Sequence, residues 1–149
     1  MLTSMWRWVP GAWGFVGWTN PTHRASMLRR MTDPFLCVCY VTRHRRADPA
    51  LRGRLAGFYV ASHERVDRDV CTDPAYHGLE PERWRYGVRA LRAFTFRPAG
   101  RVVALDWDPT LGPRAQHVAG HGVVVRDLRR LAELRALPHD EVPVYTPGR

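Results

Sequence analysis

The chain has 149 residues, of which 45% are apolar and 11% aromatic, enough for one folded domain with a hydrophobic core. Its 23 basic side chains, all of them arginine, outnumber 14 acidic ones, and the net charge of +9 favours an anionic partner such as nucleic acid. The 3 cysteines are too few for a disulfide framework and fit a reducing cytoplasm, and no apolar run reaches the length of a membrane span. We therefore expect one cytoplasmic, monomeric domain over residues 1–149, with its core at about 13–145 and no membrane contact.

Asp-Pro steps divide the chain into short apolar runs, because the residue before proline is pushed out of the helical region. In chain order, strands are predicted at 13–19, 35–42, 54–62, within 85–96, at 120–125 and at 141–145. One helix is expected to follow Asn20 and to run to about Met31, and a second to follow Asp127, because both residues are good N-caps. The segment 66–82 is predicted to be a long loop. These elements indicate an α+β fold, a small mixed β-sheet curled into a barrel with flanking helices.

Catalytic patterns are weak in this sequence. Asp106 and Asp108 have the i, i+2 spacing of one strand face, although Pro109 also fits a solvated turn. His117 and His121 have the i, i+4 spacing of a helical metal pair, but the glycines on both sides of His121 argue against a helix there.

Metal binding is likewise not favoured. Cys37 and Cys39 point the same way from one strand, and no second ligand pair follows at a usual spacing, while Cys71 stands alone. Buried structural thiols are the better interpretation, and we expect neither a metal nor a cofactor.

Arginines cluster where the second predicted strand ends and the third begins. Arg43, His44, Arg45 and Arg46 follow one strand, and Arg52 and Arg54 open the next, so a hairpin would gather them at one end. They could form a solvated loop or a phosphate-binding patch, since guanidinium groups bind phosphate in a bidentate fashion.

Tryptophan is dense, with 6 residues in the chain and four of them within the first 18 positions. In the strand at 13–19, Trp13, Phe15 and Gly17 share one face, and Val16 and Trp18 share the other. Trp18 stands where the strand ends in a capped turn, and Trp84 follows the predicted long loop. Aromatic faces among basic side chains are typical of sites that take a flipped or single-stranded base.

The order of these motifs resembles the PUA-like superfamily, and within it the EVE and YTH domains that bind modified bases, with EVE favoured. Five stretches carry the resemblance over roughly residues 13–137: GFVGWTNP, FLCVCYVT, GRLAGFYVAS, ERWRYGVRALRAF and the turn Gly112-Pro113-Arg114-Ala115-Gln116. The chain departs from the pattern in two places. Ala115 replaces an acidic residue, and the stretch 43–52 is longer and more basic.

The resemblance implies a PUA-like barrel without catalytic activity that flips a modified base into an aromatic cage, most simply methylated or hydroxymethylated cytosine in DNA. It places the base near Trp18, Thr19, Asn20, Tyr40, Thr42, Trp84 and Gln116. Phosphate contacts are expected from Arg43, Arg45, Arg46, Arg54 and Arg114, and a nuclease is a conceivable protein partner. The alternatives are a reader of modified RNA (methylated adenine), a small nucleotide-acting enzyme centred on Asp106, His117 or His121, and an interaction module whose basic charge is incidental.

Overall fold

The computed structural model describes residues 1–66, 84–112 and 122–146, which form seven strands and three short helices. The strands are β1 (Leu2–Met5), β2 (Phe15–Trp18), β3 (Phe35–Val41), β4 (Arg54–Val66), β5 (Tyr86–Phe96), β6 (Val102–Val103) and β7 (His139–Val142). The helices are α1 (Pro21–Leu28), α2 (Ala104–Trp107) and α3 (Leu128–Ala136).

All seven strands belong to one mixed sheet. Its main path runs β1-β3-β4-β5-β2, with β6 added beside β4 and β7 beside β5. β1 lies parallel to β3, and the other pairs are antiparallel. The sheet curls until β1 and β2, the two ends of the path, line a common pocket, so it is nearly closed into a barrel. The predicted small α+β barrel is thus confirmed at the level of architecture.

The sheet is covered on both faces, as the apolar sequence of the central strand predicts. Inside the curl, Cys37 and Cys39 of β3 pack with Tyr59 of β4 against side chains of α1. On the opposite face, Val38 and Phe58 belong to a second cluster that includes residues of α2 and α3. Because successive side chains of a strand alternate between faces, one seven-residue strand contributes to both clusters.

Both predicted helices are present, and their caps are the predicted ones. The Asn20 side chain accepts a hydrogen bond from the backbone N–H of Thr22 at 2.7 Å, and the Asp127 carboxylate accepts one from that of Arg129 at 3.1 Å. Helix α1 ends at Leu28, a little before the expected Met31. No helix among the described residues is long and apolar enough to cross a bilayer.

The prediction of a strand at 120–125 is wrong for residues 122–125, the part of it that the structure describes. Only Val123 pairs there, in an isolated antiparallel bridge to Leu2 of β1. Gly122 just before it has φ +81°, which turns the chain away from an extended path. β1 and β6 were not predicted, and β4 continues to Val66 because its pairing with β5 resumes after an irregularity. The rest of the predicted loop lies outside the described residues.

The last strand is shifted along the sequence from its predicted position. It begins at His139, which pairs with Phe96, and ends at Val142 rather than near Tyr145. Pro143 follows it, and proline cannot donate a ladder hydrogen bond.

Asp106 and Asp108 do not share a strand face. Asp106 is exposed within the short helix α2, whereas Asp108 follows the helix and is 8% exposed. Four residues are too few for a helical pattern to be visible in the sequence.

Candidate nucleic-acid interface

The connection between β3 and β4, residues 42–53, is the basic loop of this structure. β3 and β4 are antiparallel neighbours, so the predicted hairpin is confirmed and its arginines lie at one end of the sheet. Arg52 holds the loop in shape, since its Nε donates to the carbonyl oxygen of Ala47 at 3.1 Å and its Nη2 donates to that of Arg45 at 2.8 Å. One arginine therefore organises the loop that presents the others.

Three guanidinium groups of the basic loop face solvent. Arg43, Arg45 and Arg46 are exposed, and no carboxylate of residues 1–66, 84–112 or 122–146 forms an ion pair with them. Elsewhere arginines do have acidic partners: Glu64 with Arg89, Glu141 with Arg92, Asp140 with Arg97, Glu133 with Arg129, and Asp108 with Arg130. Three exposed guanidinium groups thus lie close together in one loop and can attract a phosphate. Asp48 is the one acidic residue of this loop, and its carboxylate accepts a hydrogen bond from the backbone N–H of Ala50 at 3.0 Å.

Local backbone geometry positions Arg43. Gly53 has φ +73°, and a Cβ built on it would lie 3.0 Å from the Nε of Arg43, so the guanidinium passes over a bare backbone. Arg54, by contrast, is half-buried and donates from Nη1 to the carbonyl oxygen of Gly100 at 2.6 Å. Arg54 therefore contributes to packing, whereas the Arg43 side chain is exposed to solvent.

Aromatic rings form a continuous series beside the basic loop, which we call the aromatic row: Phe15, Trp13, Trp84 and Trp6. Trp13 stacks on Phe15 with ring centroids 4.4 Å apart, and Trp84 meets Trp13 edge-on at 6.0 Å. Trp84 also meets Trp6 edge-on at 5.6 Å, and the guanidinium of Arg46 lies 5.5 Å from the Trp6 ring centroid. The aromatic row thus extends from the end of the barrel to the basic loop.

A pocket lies at the seam where β1 and β2 approach each other, and we call it the seam pocket. Its walls are Thr3, Ser4, Met5, Arg7, Trp13, Phe15, Val16, Gly17, Tyr59 and Trp84. The Tyr59 hydroxyl at its base donates to the carbonyl oxygen of Trp13 at 2.9 Å. The cavity volume is only about 40 Å³, room for a few water molecules on the scale of about 10–15 Å³ each. An entire base would therefore require a wall to move.

Two paired glycines leave the space that the Phe15 and Trp84 side chains of the aromatic row occupy against the sheet. Gly17 of β2 lies opposite Gly87 of β5, and a Cβ at Gly87 would collide with the Phe15 ring. A Cβ at Gly17 would lie 2.7 Å from the same ring and 3.1 Å from the Cβ of Trp84. Side chains larger than hydrogen at these positions would push the aromatic row off the sheet.

Trp84 is the wall with the least relaxed backbone. Its φ of +59° lies in the left-handed region, and it is the one non-glycine residue with positive φ in the described part of the chain. A bulky side chain there costs on the order of 1–3 kcal/mol, and such strain persists only where surrounding contacts hold it. Here the edge-on contacts of the Trp84 ring with Trp6 and Trp13 are among those that hold it.

Trp18, which was expected to be a cage wall, lies away from the seam pocket. Trp18 is 2% exposed and packs inside the barrel with Val16 and with Met27 of α1, so its ring does not reach the seam pocket. β2 lines the pocket with Phe15 and Gly17 of the other face and with Val16. Helix α1 packs against β2 and β5 and thereby decides which face is core.

The remaining predicted base contacts are dispersed. Thr19 and Asn20 are exposed, and Asn20 is used as the helix cap. Thr42 accepts a backbone hydrogen bond from His44 at 3.3 Å. Tyr40 lies with Arg43 and Leu111 in a separate cavity of about 180 Å³ next to α2.

Of the six predicted base-binding residues that the structure describes, Trp84 alone lines the seam pocket. Arg114 and Gln116 lie outside the described residues, as do His117, His121 and Cys71.

Sequence analysis did not single out Trp6 or Arg7, and it did not include Trp13 among the expected base contacts. The available signal was the cluster of tryptophans near the start of the chain, which did not reveal that β1 brings Trp6 to the end of β3. Parallel pairing between segments so far apart leaves no local pattern.

Two buried polar groups of the described residues, Cys39 and Asp108, have shifted pKa values. Burial raises the pKa of the Cys39 thiol well above its ordinary value, with a further contribution from the Cys37 side chain, which favours the protonated thiol. Burial alone would raise the pKa of Asp108, but hydrogen bonds from Thr110 and the Arg130 guanidinium at 2.9 Å bring it below its usual value. No three potential metal ligands cluster within residues 1–66, 84–112 and 122–146.

Comparison with known proteins gives no further guidance on these residues. No family model, curated protein or solved structure matches the chain.

Proposed function

We propose that this protein binds nucleic acid without catalysing a reaction and holds an unpaired or flipped base against Trp13 and Trp84 at the seam pocket. The observation that carries the proposal is the adjacency of the aromatic row to the basic loop at one end of the barrel. Stacking surfaces next to exposed guanidinium groups match the base and the phosphate of a nucleotide.

The energetic terms are of the right size for such a site. Stacking on an aromatic side chain contributes about 1–3 kcal/mol per base, and extracting a base from a duplex costs a few kcal/mol. Phosphate contacts by Arg43, Arg45 and Arg46 would offset that cost by releasing counterions. We therefore expect single-stranded ligands to bind more tightly than duplexes of the same sequence.

Because the seam pocket is smaller than a base, it must open before a base can enter. The base enters as Trp84 leaves its strained backbone conformation and Arg7 moves from the mouth of the pocket. Binding is then coupled to a local rearrangement at the seam, with the barrel itself unchanged.

Selectivity for a modified base is part of the same proposal. A methyl group adds almost no hydrogen bonding, so an apolar wall such as Phe15 and Trp13 must recognise it by contact, worth about 1–2 kcal/mol per methyl. The resemblance to EVE domains suggests 5-methylcytosine or 5-hydroxymethylcytosine in DNA as the ligand, with a PUA-like barrel as the scaffold. The expected preference over cytosine is about tenfold.

A binding panel tests the proposal. Fluorescence anisotropy would measure the affinity for single-stranded and duplex DNA with cytosine, 5-methylcytosine or 5-hydroxymethylcytosine, and for RNA with or without N6-methyladenine. Trp84→Phe, which keeps an aromatic ring, is the matched control for Trp84→Ala, which should weaken binding about 5- to 150-fold. Tightest binding to the modified RNA would move the proposal to RNA. Absence of binding to any probe, or conversion of a probe into product, would refute it.

A further inference from the structure

His44 covers the end of the aromatic row. Its imidazole stacks on the Trp6 ring with centroids 4.9 Å apart and planes 10° from parallel. Trp6 is 8% exposed, whereas His44 is an exposed residue of the basic loop. The imidazole therefore lies between the indole and solvent, where a planar ligand ring would otherwise stack.

The backbone of His44 is held in the loop, where its carbonyl oxygen accepts a hydrogen bond from the backbone N–H of Ala47 at 2.9 Å, but its imidazole ring is held less firmly. Its Nδ1 accepts a hydrogen bond from the backbone N–H of Arg46 at 3.1 Å, and its own backbone N–H donates to the Thr42 hydroxyl at 3.3 Å. The Arg46 N–H belongs to an exposed loop, so water can replace the imidazole as its partner. Displacing the ring would exchange one stack for another and would not leave a buried polar group unsatisfied.

The covered ring is correctly placed for a second nucleotide. Trp6 contacts Trp84, and Trp84 lines the seam pocket, so a base on Trp6 would be next to the base in the pocket. The guanidinium of Arg46 lies 5.5 Å from the Trp6 ring centroid, near enough to meet the phosphate that joins the two nucleotides. An imidazole is smaller than a nucleobase, which would therefore cover more of the indole.

We propose that Trp6 is a second base-binding subsite, for the nucleotide adjacent to the one at the seam pocket, and that His44 is a cap which this base displaces. The proposal rests on the proposed nucleic-acid function and extends it from one nucleotide to two. The cap lowers the affinity for any single-stranded ligand long enough to reach Trp6, because the open conformation must first be populated.

Affinity measurements on two lengths of ligand test the cap. The probes are thymidine monophosphate, which reaches one subsite, and an oligothymidylate of eight nucleotides. His44→Ala should tighten binding of the oligonucleotide about two- to tenfold and leave the mononucleotide affinity unchanged. His44→Gln, which keeps a hydrogen-bond acceptor but not the ring, should behave in the same way. Thermal melting of both variants would establish that they are folded.

A second variant identifies the surface that is uncovered. Trp6→Leu should remove the effect of His44→Ala, because no ring remains for the second base. Unchanged or weaker oligonucleotide binding by His44→Ala, or equal gains for both probes, would overturn the cap. Failure of the wild-type protein to bind either probe would instead refute the proposed function itself.

NMR spectroscopy observes the displacement directly. Ring protons of His44 lie over an indole face and should resonate upfield of an exposed histidine in the free protein. Saturation with the octanucleotide should return them to ordinary positions, while thymidine monophosphate should leave them shifted. Upfield resonances that persist in the octanucleotide complex would show that His44 stays on Trp6.

Discussion

Truncation of Trp18 should lower stability, whereas truncation of Trp13 should lower binding. The two residues are five positions apart, and their side chains lie on opposite faces of β2 and of the segment that leads into it. Trp18 is 2% exposed inside the barrel, so Trp18→Ala should cost about 3–5 kcal/mol of folding free energy through the cavity it leaves. In a chain of this size each kcal/mol lowers Tm by about 2–4 °C, so the expected loss is roughly 6–20 °C. Binding per folded molecule should not change.

Trp13→Ala should have the opposite profile. It removes the stack on Phe15, worth about 0.5–1.5 kcal/mol, but leaves the backbone carbonyl that accepts the Tyr59 hydroxyl hydrogen bond. Its loss of binding should be about 1–3 kcal/mol, equivalent to about 5- to 150-fold.

Thermal melting and fluorescence anisotropy on the same preparations would separate the two effects. Trp18→Phe provides a milder substitution if the alanine variant does not fold. The assignment of faces would be refuted if a folded Trp18 variant lost its preference for a modified base while Trp13→Ala bound like the wild type.

Three further predictions test other parts of the structure. Arg45→Ala should reduce the slope of log affinity against log salt by about one, whereas Arg92→Ala, which removes a guanidinium already paired with a carboxylate, should leave the slope unchanged; salt titrations would measure both. Gly87→Ala should displace the Phe15 ring and cost about 1–3 kcal/mol of stability, and a Tm equal to that of the wild type would contradict the packing. Folding lowers the pKa of Asp108, so its ionised carboxylate stabilises the protein above the unfolded pKa of about 3.9. This stabilisation is lost as pH falls through the lower folded pKa. Asp108→Asn should therefore flatten the decline of Tm in acid, and an unchanged decline would contradict this.

Local chemistry explains which elements could be predicted from the sequence. Asn20 and Asp127 cap their helices because a short polar side chain reaches the first free N–H groups wherever the helix packs. The run FLCVCYV is apolar at every position, so a strand covered on both faces was the natural interpretation.

The site required tertiary information. Alternation in 13–18 separates two faces of β2, but only the docking of α1 makes the Trp18 face the interior. β1 is four residues long and pairs in parallel with β3, so nothing local indicated that Trp6 would join the row. The density of tryptophans predicted an aromatic cluster, but which face of the sheet each ring occupies depended on packing.

Photochemical crosslinking tests most directly whether a base lies against the aromatic row. A single-stranded DNA carrying one 5-iodouracil would be irradiated in complex with the protein, and the adducts mapped by mass spectrometry. We predict that the crosslinks fall on Trp13 or Trp84 and disappear with excess unlabelled DNA. Specific crosslinks confined to helix α3 or to the β5–β7 surface, with the aromatic row unmodified, would contradict the proposed site.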